Sequence, residues 1–232
     1  MSPELIPFLA LSIFVVAMLY ASVGHGGASG YLAVMALFSL HPEALKPTAL
    51  ILNIIVAGIG TWLYCSAGHF SWRVFWPFVI TSIPMSFLGG TFHLPPELYR
   101  PILGMVLFYA AWRLFVRRRH KEYASRPPAI PVAMLVGAVL GFASGLIGVG
   151  GGIFLSPLLL LLRWAKVREV SGIAALFILV NSLAGLLGHL SSLHHVPTYA
   201  PLLAVMALLG GTLGAFGGSR HLPARTILQA MS

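Results

Sequence analysis

The chain has 232 residues, of which 58% are hydrophobic and only 8% are charged, and its formal net charge is +9. About a quarter of the residues of a soluble domain are charged, so this composition excludes an ordinary water-soluble fold. Several apolar stretches approach the roughly 20 residues that a helix needs to cross a bilayer. These stretches are apolar at odd and even positions alike, as from Leu135 to Leu162, whereas the strands of a membrane β-barrel alternate apolar and polar residues. We therefore predict an all-α, polytopic membrane helix bundle.

The positive charge has a membrane explanation and does not indicate nucleic acid. The basic residues lie in loops between apolar segments, where Lys and Arg set the orientation of a membrane protein. Cys65 is the one cysteine, so an intramolecular disulfide cannot form. We also expect no cleaved signal peptide, because the residues before Phe8 include Glu4 but no Lys or Arg.

Nine apolar segments follow one another along the chain. They cover about residues 5–22, 28–40, 47–65, 74–91, 99–115, 131–147, 152–162, 170–190 and 199–217. The second and seventh are too short to cross a bilayer, and each follows a glycine cluster. A basic linker with two prolines divides the chain into an N-terminal membrane repeat at 1–116, the linker at 117–130 and a C-terminal membrane repeat at 131–232.

The two halves carry related sequences, because three blocks recur in the same order at separations of 124 or 128 residues. The recurring blocks are Gly24, Gly26 and Gly27 with Gly148, Gly150 and Gly151, then Asn53 and Gly60 with Asn181 and Gly188, then GGTFHLP with GGSRHLP. The sequence therefore predicts an internal duplication.

Charge placement predicts how the halves cross the membrane. If each glycine-interrupted stretch is a hairpin that returns to its own side, 12 basic residues share the side of the linker, and only Lys46 and Arg100 face the other side. Single crossings would divide the basic residues equally. Because Lys and Arg concentrate on the cytoplasmic side, we predict an N-terminus outside and a cytoplasmic linker at 117–126. The halves are then inverted repeats, a layout of many secondary transporters.

The two glycine clusters are the strongest candidate for a binding site. Glycine permits positive φ and lets a ligand approach the backbone. The short helices after the clusters would point their N-terminal N–H groups and positive dipole ends at the midplane, which favours an anion. Close helix packing is the alternative explanation for such glycines. The candidate positions are Gly24, Gly26, Gly27, Gly148, Gly150, Gly151 and Gly152.

Four polar side chains near the clusters complete the predicted substrate site. Asn53 and Asn181 could donate amide hydrogen bonds to an oxyanion or join neighbouring helices. Ser29 could donate a hydroxyl hydrogen bond. His25 could couple transport to protons, donate a hydrogen bond to the anion, or pack as a neutral side chain. No Lys or Arg lies in the middle of an apolar segment, so we expect neutral groups to hold the anion.

The acidic residues and the known motifs exclude several other functions. The chain has no aspartate, and its five glutamates lie in loops or near segment ends, which disfavours cation transport. His189, His194 and His195 lie close in sequence, but their loop supplies no carboxylate or thiol, so we expect no metal site and no cofactor. Neither HExxH nor GxSxG occurs, and we predict that the protein is not an enzyme.

The two glycine-tipped stretches carry a family resemblance. GFASGLIGVGGGIFLSPLLLLL, its weaker partner YASVGHGGASGYLAVMAL and the duplicated halves resemble the sulfite exporter TauE/SafE family of membrane permeases. The resemblance spans nearly the whole chain. It implies transport of sulfite, thiosulfate, sulfoacetate or a related sulfur anion across the bacterial inner membrane, with lipid around the bundle, and it leaves a homodimer open.

The C-terminal repeat departs from the pattern of the first. After GGSRHLP the first half's order calls for one more apolar helix, and we expect the C-terminal repeat to lack it. Two alternatives to a carrier therefore stay open. An anion channel would need a continuous polar pore, and a non-transporting membrane assembly subunit would explain the short C-terminal repeat.

Overall fold

The computed structural model describes residues 3–92, 94–115 and 126–220 of the chain. Within these ranges every assigned element is a helix, so the predicted all-α class is confirmed. Two short 3-10 helices lie at Pro3–Leu5 and Leu190–His195. The α-helices are α1 (Ile6–Ala21), α2 (Ala28–Leu37), α3 (Pro42–Ser66), α4 (Trp72–Thr91), α5 (Pro96–Phe115), α6 (Ile130–Ile147), α7 (Gly152–Leu161), α8 (Val167–Gly188) and α9 (Ala200–Arg220).

Five of the described helices, α3, α4, α6, α8 and α9, are long and apolar enough to cross a membrane. Large apolar side chains point away from the bundle, as the exposed Leu135 and Leu213 do, and lipid is the solvent that suits them. Helices α2 and α7 have ten residues each, so they extend about 15 Å, roughly half of the hydrocarbon core. The chain is therefore a multi-pass membrane protein with two helices too short to cross.

Helices α3 and α8 form the centre of the bundle and run antiparallel. Asn53 of α3 bonds to Ser182 of α8, and Gly60 lies opposite Ala175, so residue numbers rise along one helix as they fall along the other. These two helices are also the most buried of the five candidate spans. Their shared interface is the protected interior where the glycine turns meet.

Two rows of glycine hold further helices backbone to backbone. In each row the glycines are four residues apart, and a Cβ at any of them would overlap a carbonyl oxygen of the facing helix. Small residues at this spacing let membrane helices approach closely. The first row is Gly210, Gly214 and Gly218 of α9, against Phe14 and Met18 of α1 and its C-cap residue Ser22. The second row is Gly137, Gly141 and Gly145 of α6, against Phe78, Ser82 and Ser86 of α4.

The registers of these contacts give the relative directions of the helices. Both glycine rows join parallel helices, because residue numbers rise together along the two partners. Helix α9 is also parallel to α3, since Gly211 adjoins Val56 and Gly218 adjoins Tyr64, and α4 is parallel to α8. Helices α1, α3 and α4 therefore run opposite to α6, α8 and α9, respectively. These directions support the inverted repeat, which remains a prediction.

The buried apolar side chains form two clusters that do not follow the two halves of the sequence. The α3 cluster joins α1, α2, α3, α5 and α9, and it includes Ile147 at the end of α6 and Val149 of the second turn. The α8 cluster joins α4, α6, α7 and α8, and it includes Val23 of the first turn. Helices α4 and α9 thus each pack with the opposite half. The two clusters meet along the α3–α8 interface.

Most described basic residues lie at one end of the bundle, which we call the basic end. It holds the N-termini of α4, α6 and α8 and the C-terminus of α9, and its basic residues are Arg73, Arg126, Arg163, Lys166, Arg168 and Arg220. Lys46 and Arg100 lie at the opposite end, as the charge count predicts. Residues 117–125 of the linker lie outside the described residues, as do residues 221–232, on which the expectation about a last helix bears.

We expect Gly214→Ala to destabilise the protein, because its Cβ would overlap the Met18 carbonyl and force α9 away from α1. Overpacking of this kind costs about 1–3 kcal/mol. Gly217→Ala in the same helix is the matched control, since nothing lies within 4 Å of its Cβ and alanine is the better helix former. Reversible unfolding in detergent measures both, and equal stability of the two variants would contradict the packing argument.

Candidate functional site

The turns that follow α1 and α6 depend on glycine for their backbone shape. In the first turn Gly24 has φ of 82° and Gly27 has φ of 99°. In the second turn Gly148, Gly150 and Gly151 have φ of 88°, 71° and 78°. Other L-residues adopt this left-handed region at a cost of about 1–2 kcal/mol each. The predicted role of glycine in permitting these turns is therefore found in both halves.

Each turn packs across onto the central helix of the other half. Gly24 lies against Ser171 of α8, and Gly148 lies against Lys46 of α3. Each of these contacts is made at the fifth residue of the helix, one turn from its N-terminus. Because α3 and α8 are antiparallel, the two contacts lie on opposite sides of the bundle centre.

Beyond these contacts the two turns approach each other at the bundle centre. A Cβ at Gly150 would lie 2.7 Å from Asn53 Nδ2 and 2.8 Å from Ile178 Cγ2. A Cβ at Gly26 would overlap Asn53 Oδ1 and lie 2.9 Å from Ile178 Cγ2. Asn53 is the twelfth of the 25 residues of α3, and Ile178 is the twelfth of the 22 residues of α8. We call this place, at the middle of both central helices, the meeting point.

Two helices begin at or beside the meeting point. Gly27 and Gly151 are the N-cap residues of α2 and α7, both are left-handed, and neither helix has a side-chain cap. The first N–H groups of an α-helix have no acceptor within the helix, and the helix dipole makes this end positive. Gly152 packs directly on Ile178, so α7 begins at the midpoint of α8. The arrangement favours a negatively charged or oxygen-rich ligand.

The two asparagines that correspond in sequence have different surroundings. Asn53 is fully buried, and its Nδ2 donates a 3.3 Å hydrogen bond to Ser182 Oγ. Asn181 is equally buried, but its Nδ2 donates to the Phe177 carbonyl of its own helix at 2.8 Å. The Oδ1 atoms of both have no protein hydrogen-bond partner among the described residues. Asn53 thus lies at the meeting point, whereas Asn181 has its amide hydrogens turned to its own helix.

Ser29 and His25 both form hydrogen bonds to Tyr20 of α1. The Ser29 hydroxyl donates to the Tyr20 hydroxyl at 3.2 Å, and the His25 backbone N–H donates to the Tyr20 carbonyl at 3.0 Å. Ser29 is buried and His25 is half-buried. These contacts hold α2 and its preceding turn against α1.

Lys46 was missed by the sequence interpretation, which placed it in a loop before α3. It lies inside α3 with only 8% of its surface exposed, and its Nζ is 4.4 Å from the centroid of the Tyr99 ring. Lys46 is the fifth of the 25 residues of α3, so it lies outside the middle of the segment, but it is nevertheless a buried cation. Pro42, in the first turn of α3, is the signal that could have placed the helix start earlier.

Ser182 was also missed, although it follows Asn181 directly in the sequence. It accepts the Asn53 hydrogen bond and adjoins Gly150. The residue of α8 that bonds to Asn53 is thus Ser182, one position after Asn181, the residue that the repeat indicates. Only the rotation of α8 in the bundle decides which of the two neighbours faces α3.

Other polar groups lie outside the meeting point. His195 Nε2 lies 2.9 Å from Glu43 Oε2 at the end opposite the basic end, so α3 supplies the carboxylate that the histidine loop lacks. Among the described residues no group of three or more His, Cys, Asp and Glu could hold a metal ion.

At the basic end, burial and then nearby Arg168 lower the pKa of His69, while a backbone hydrogen bond with Ser219 raises it. The charge of that end therefore comes from Lys and Arg.

A family model described as sulfite exporter TauE/SafE matches residues 9–232. The chain belongs to the sulfite exporter TauE/SafE family. The resemblance recognised in the glycine-tipped stretches is thereby confirmed, and this TauE/SafE chain is a membrane transporter of that family.

Curated relatives of this TauE/SafE chain are also named as transporters. A probable membrane transporter protein of Sinorhizobium fredii, y4hK, is 40% identical over 230 residues, which cover 96% of this chain and 93% of the relative. The probable membrane transporter proteins YjnA of Bacillus subtilis and MJ0441 of Methanocaldococcus jannaschii are 26% and 25% identical. Their alignments cover 94% and 81% of this chain, and 90% and 73% of the relatives. No solved structure matches the chain.

We expect Asn53 and Ser182 to couple energetically, because their hydrogen bond joins the two central helices. Such bonds in membrane proteins contribute about 0.6 kcal/mol on average. A double-mutant cycle of Asn53→Ala and Ser182→Ala, read from reversible unfolding in bicelles, measures the coupling. The control cycle pairs Asn53→Ala with Asn181→Ala, since no hydrogen bond joins these side chains. Equal coupling in the two cycles would be inconsistent with the distinction drawn between the asparagines.

Proposed function

We propose that the protein is a carrier for a small sulfur-containing anion, and that the meeting point is its substrate site. The observation that carries the proposal is the approach of Gly26 and Gly150 to the same two residues at the middle of α3 and α8. In this proposal the N-terminal N–H groups of α2 and α7 bind the anion, together with the Asn53 amide and the Ser182 hydroxyl. We assign the protein no catalytic residue.

The charge distribution supports an anion as the substrate. The described glutamates, Glu4, Glu43, Glu97 and Glu169, all lie in the first turn of their helices, far from the centre of α3 and α8. A desolvated cation at the meeting point would therefore face two positive helix ends without a carboxylate. An anion is stabilised by the same helix ends, since the N-terminus of a helix is a ready anion site.

The chemistry of the donors supports a sulfur oxyanion or sulfonate within that class. Sulfite, thiosulfate and sulfoacetate each present several oxygens on one sulfur atom, and backbone N–H groups from two helices can meet different oxygens. A site of this kind holds the anion by neutral hydrogen bonds and dipoles, so binding can be weak enough for release. The family description, sulfite exporter, supports the same substrate class.

The tight packing supports a carrier rather than a channel. Neither Gly26 nor Gly150 has room for a Cβ at the meeting point, and Gly24 is equally close-packed on Ser171. Gly148 is less tight, because a Cβ there would lie 3.3 Å from Lys46. Passage of an anion past the meeting point would therefore require the helices to move. The α3 cluster and the α8 cluster have separate apolar cores, so we propose that they rock against each other along the α3–α8 interface.

We further propose that the basic end faces the cytoplasm of a bacterial inner membrane. Lys and Arg in short loops concentrate on the cytoplasmic side, and six of them share this end. The N-terminus of α1 then faces outward, and the two halves of the sequence are inverted repeats.

We expect Gly150→Ala to abolish transport, because its Cβ would strain a left-handed residue and overlap both Asn53 and Ser182. Gly58→Ala is the matched control, since nothing lies within 4 Å of its Cβ. Efflux of thiosulfate from proteoliposomes measures both variants after their insertion has been checked. Parent-like flux through Gly150→Ala would argue against a backbone anion site at this turn.

We expect the flux to follow membrane potential rather than a pH gradient. An interior-negative potential drives an anion outward by about 2.3 kcal/mol per charge per 100 mV, so export needs no coupled ion. The measurement is thiosulfate flux in proteoliposomes with the potential and the pH gradient imposed separately, on the parent and on His25→Gln. Flux that follows the pH gradient and loses this dependence in His25→Gln would instead establish proton coupling through His25.

A further inference from the structure

Lys46 is a buried cation that the proposed midplane site does not use. Its surface is 8% exposed, and no carboxylate lies within ion-pairing distance of its ammonium among the described residues. Glu43, the nearest acidic residue along the chain, instead contacts His195 and His41. A buried charge without an opposite charge is costly, so this side chain is a strong candidate to bind an anion.

The surroundings of Lys46 come from three separate elements. Its Nζ lies over the Tyr99 ring of α5, and its Cα, Cβ and Cγ pack against Gly148 in the second turn. The Tyr99 hydroxyl donates to the Ile147 carbonyl at 3.2 Å, at the end of α6. Tyr99 is therefore fixed in place, and a cation–π contact orients the ammonium without neutralising it.

Lys46 also lies on the same face of α3 as the meeting point. It precedes Asn53 by seven residues, which is two helical turns and about 10 Å along the axis. The second glycine turn bridges this distance, because Gly148 contacts Lys46 and Gly150 contacts Asn53. An anion that left the meeting point along this turn would therefore next meet the Lys46 side chain.

Among the described residues, no buried Lys or Arg lies on the other side of the meeting point. There Gly24 packs on Ser171, a neutral residue at the fifth position of α8, where the first turn makes its matching contact. The two sides of the proposed path thus differ by one buried positive charge, and the charge lies on the side away from the basic end.

We propose that Lys46 forms a second anion subsite, between the meeting point and the end opposite the basic end, and that it binds the transported sulfur anion there. The inference rests on the proposed anion transport. The ammonium supplies a charge-assisted hydrogen bond that the neutral donors of the meeting point do not have. A lipid phosphate would offer the same chemistry, so the test separates the two sources.

The test compares thiosulfate binding to the parent, Lys46→Met and Arg100→Met by calorimetry in nanodiscs of phosphatidylcholine. Lys46→Met should weaken binding by about tenfold or more, the effect of losing a hydrogen bond to a charged group. Arg100→Met is the matched control, because Arg100 is an exposed cation of the same end and should leave affinity unchanged. Repeating the titration in nanodiscs that also contain phosphatidylglycerol tests whether a lipid phosphate is the ligand of Lys46. If Lys46→Met changed only the lipid dependence of the protein's stability, and not its affinity for thiosulfate, the inference would be overturned.

A second measurement uses the parent protein alone and does not depend on the folding of a variant. Thiosulfate should slow the acetylation of Lys46 several-fold, read by mass spectrometry, while the exposed Lys166 serves as the internal control. Absence of thiosulfate binding to the parent would contradict the proposed transport function itself. Parent-like affinity in Lys46→Met, together with unprotected Lys46, would overturn the second subsite and leave the meeting point unaffected.

Discussion

The interior of a bilayer offers no hydrogen-bond partner to the backbone, and the two glycine turns are irregular backbone that has to be buried in protein. The antiparallel pair of α3 and α8 provides this burial. Both turns approach Asn53 and Ile178, where only glycine leaves room for the chain to pass. The close packing of the two turns on α3 and α8 also brings the first N–H groups of α2 and α7 to the centre of the bundle. The proposed anion site is thus a direct consequence of the way in which the turns are buried.

The packing also separates the helices that stay together from those that can move. Each glycine row joins helices within one apolar cluster, α9 to α1 in the α3 cluster and α6 to α4 in the α8 cluster. Backbone contact through carbonyl oxygens makes these pairs rigid, because any separation of the helices loses close packing along three turns. The α3–α8 interface has the Asn53–Ser182 hydrogen bond at its centre and the two turns on either side. In the proposed carrier mechanism, it is the interface along which the two clusters rock with the anion between them.

Much of this arrangement could be predicted from the sequence, because hydropathy determines where helices form in a membrane and glycine determines where they break. The segment bounds lie within a few residues of most helices, and the paired turns follow from the internal duplication. What could not be predicted depends on helix rotation and on distant neighbours. Asn53 and Asn181 occupy equivalent positions, yet rotation of α8 presents Ser182 rather than Asn181 to α3. Lys46 is buried because Tyr99 of α5 covers it, which no local pattern in α3 reveals.

The uneven charge along the proposed path makes the two sides of the meeting point different for an anion. An anion that approaches from the basic end first meets surface cations, then the neutral contact of Gly24 with Ser171, then the positive helix ends at the meeting point. Beyond it lies Lys46, about 10 Å further along α3 by the helical rise. In the proposed orientation, a cation on the outer side lowers the energy of an anion that has left the centre, so it stabilises a state that inward and outward transport share. An interior-negative potential, by contrast, drives the anion outward. The buried lysine would therefore change the rate of passage in both directions, while the potential and the concentration gradient set the direction of net flux.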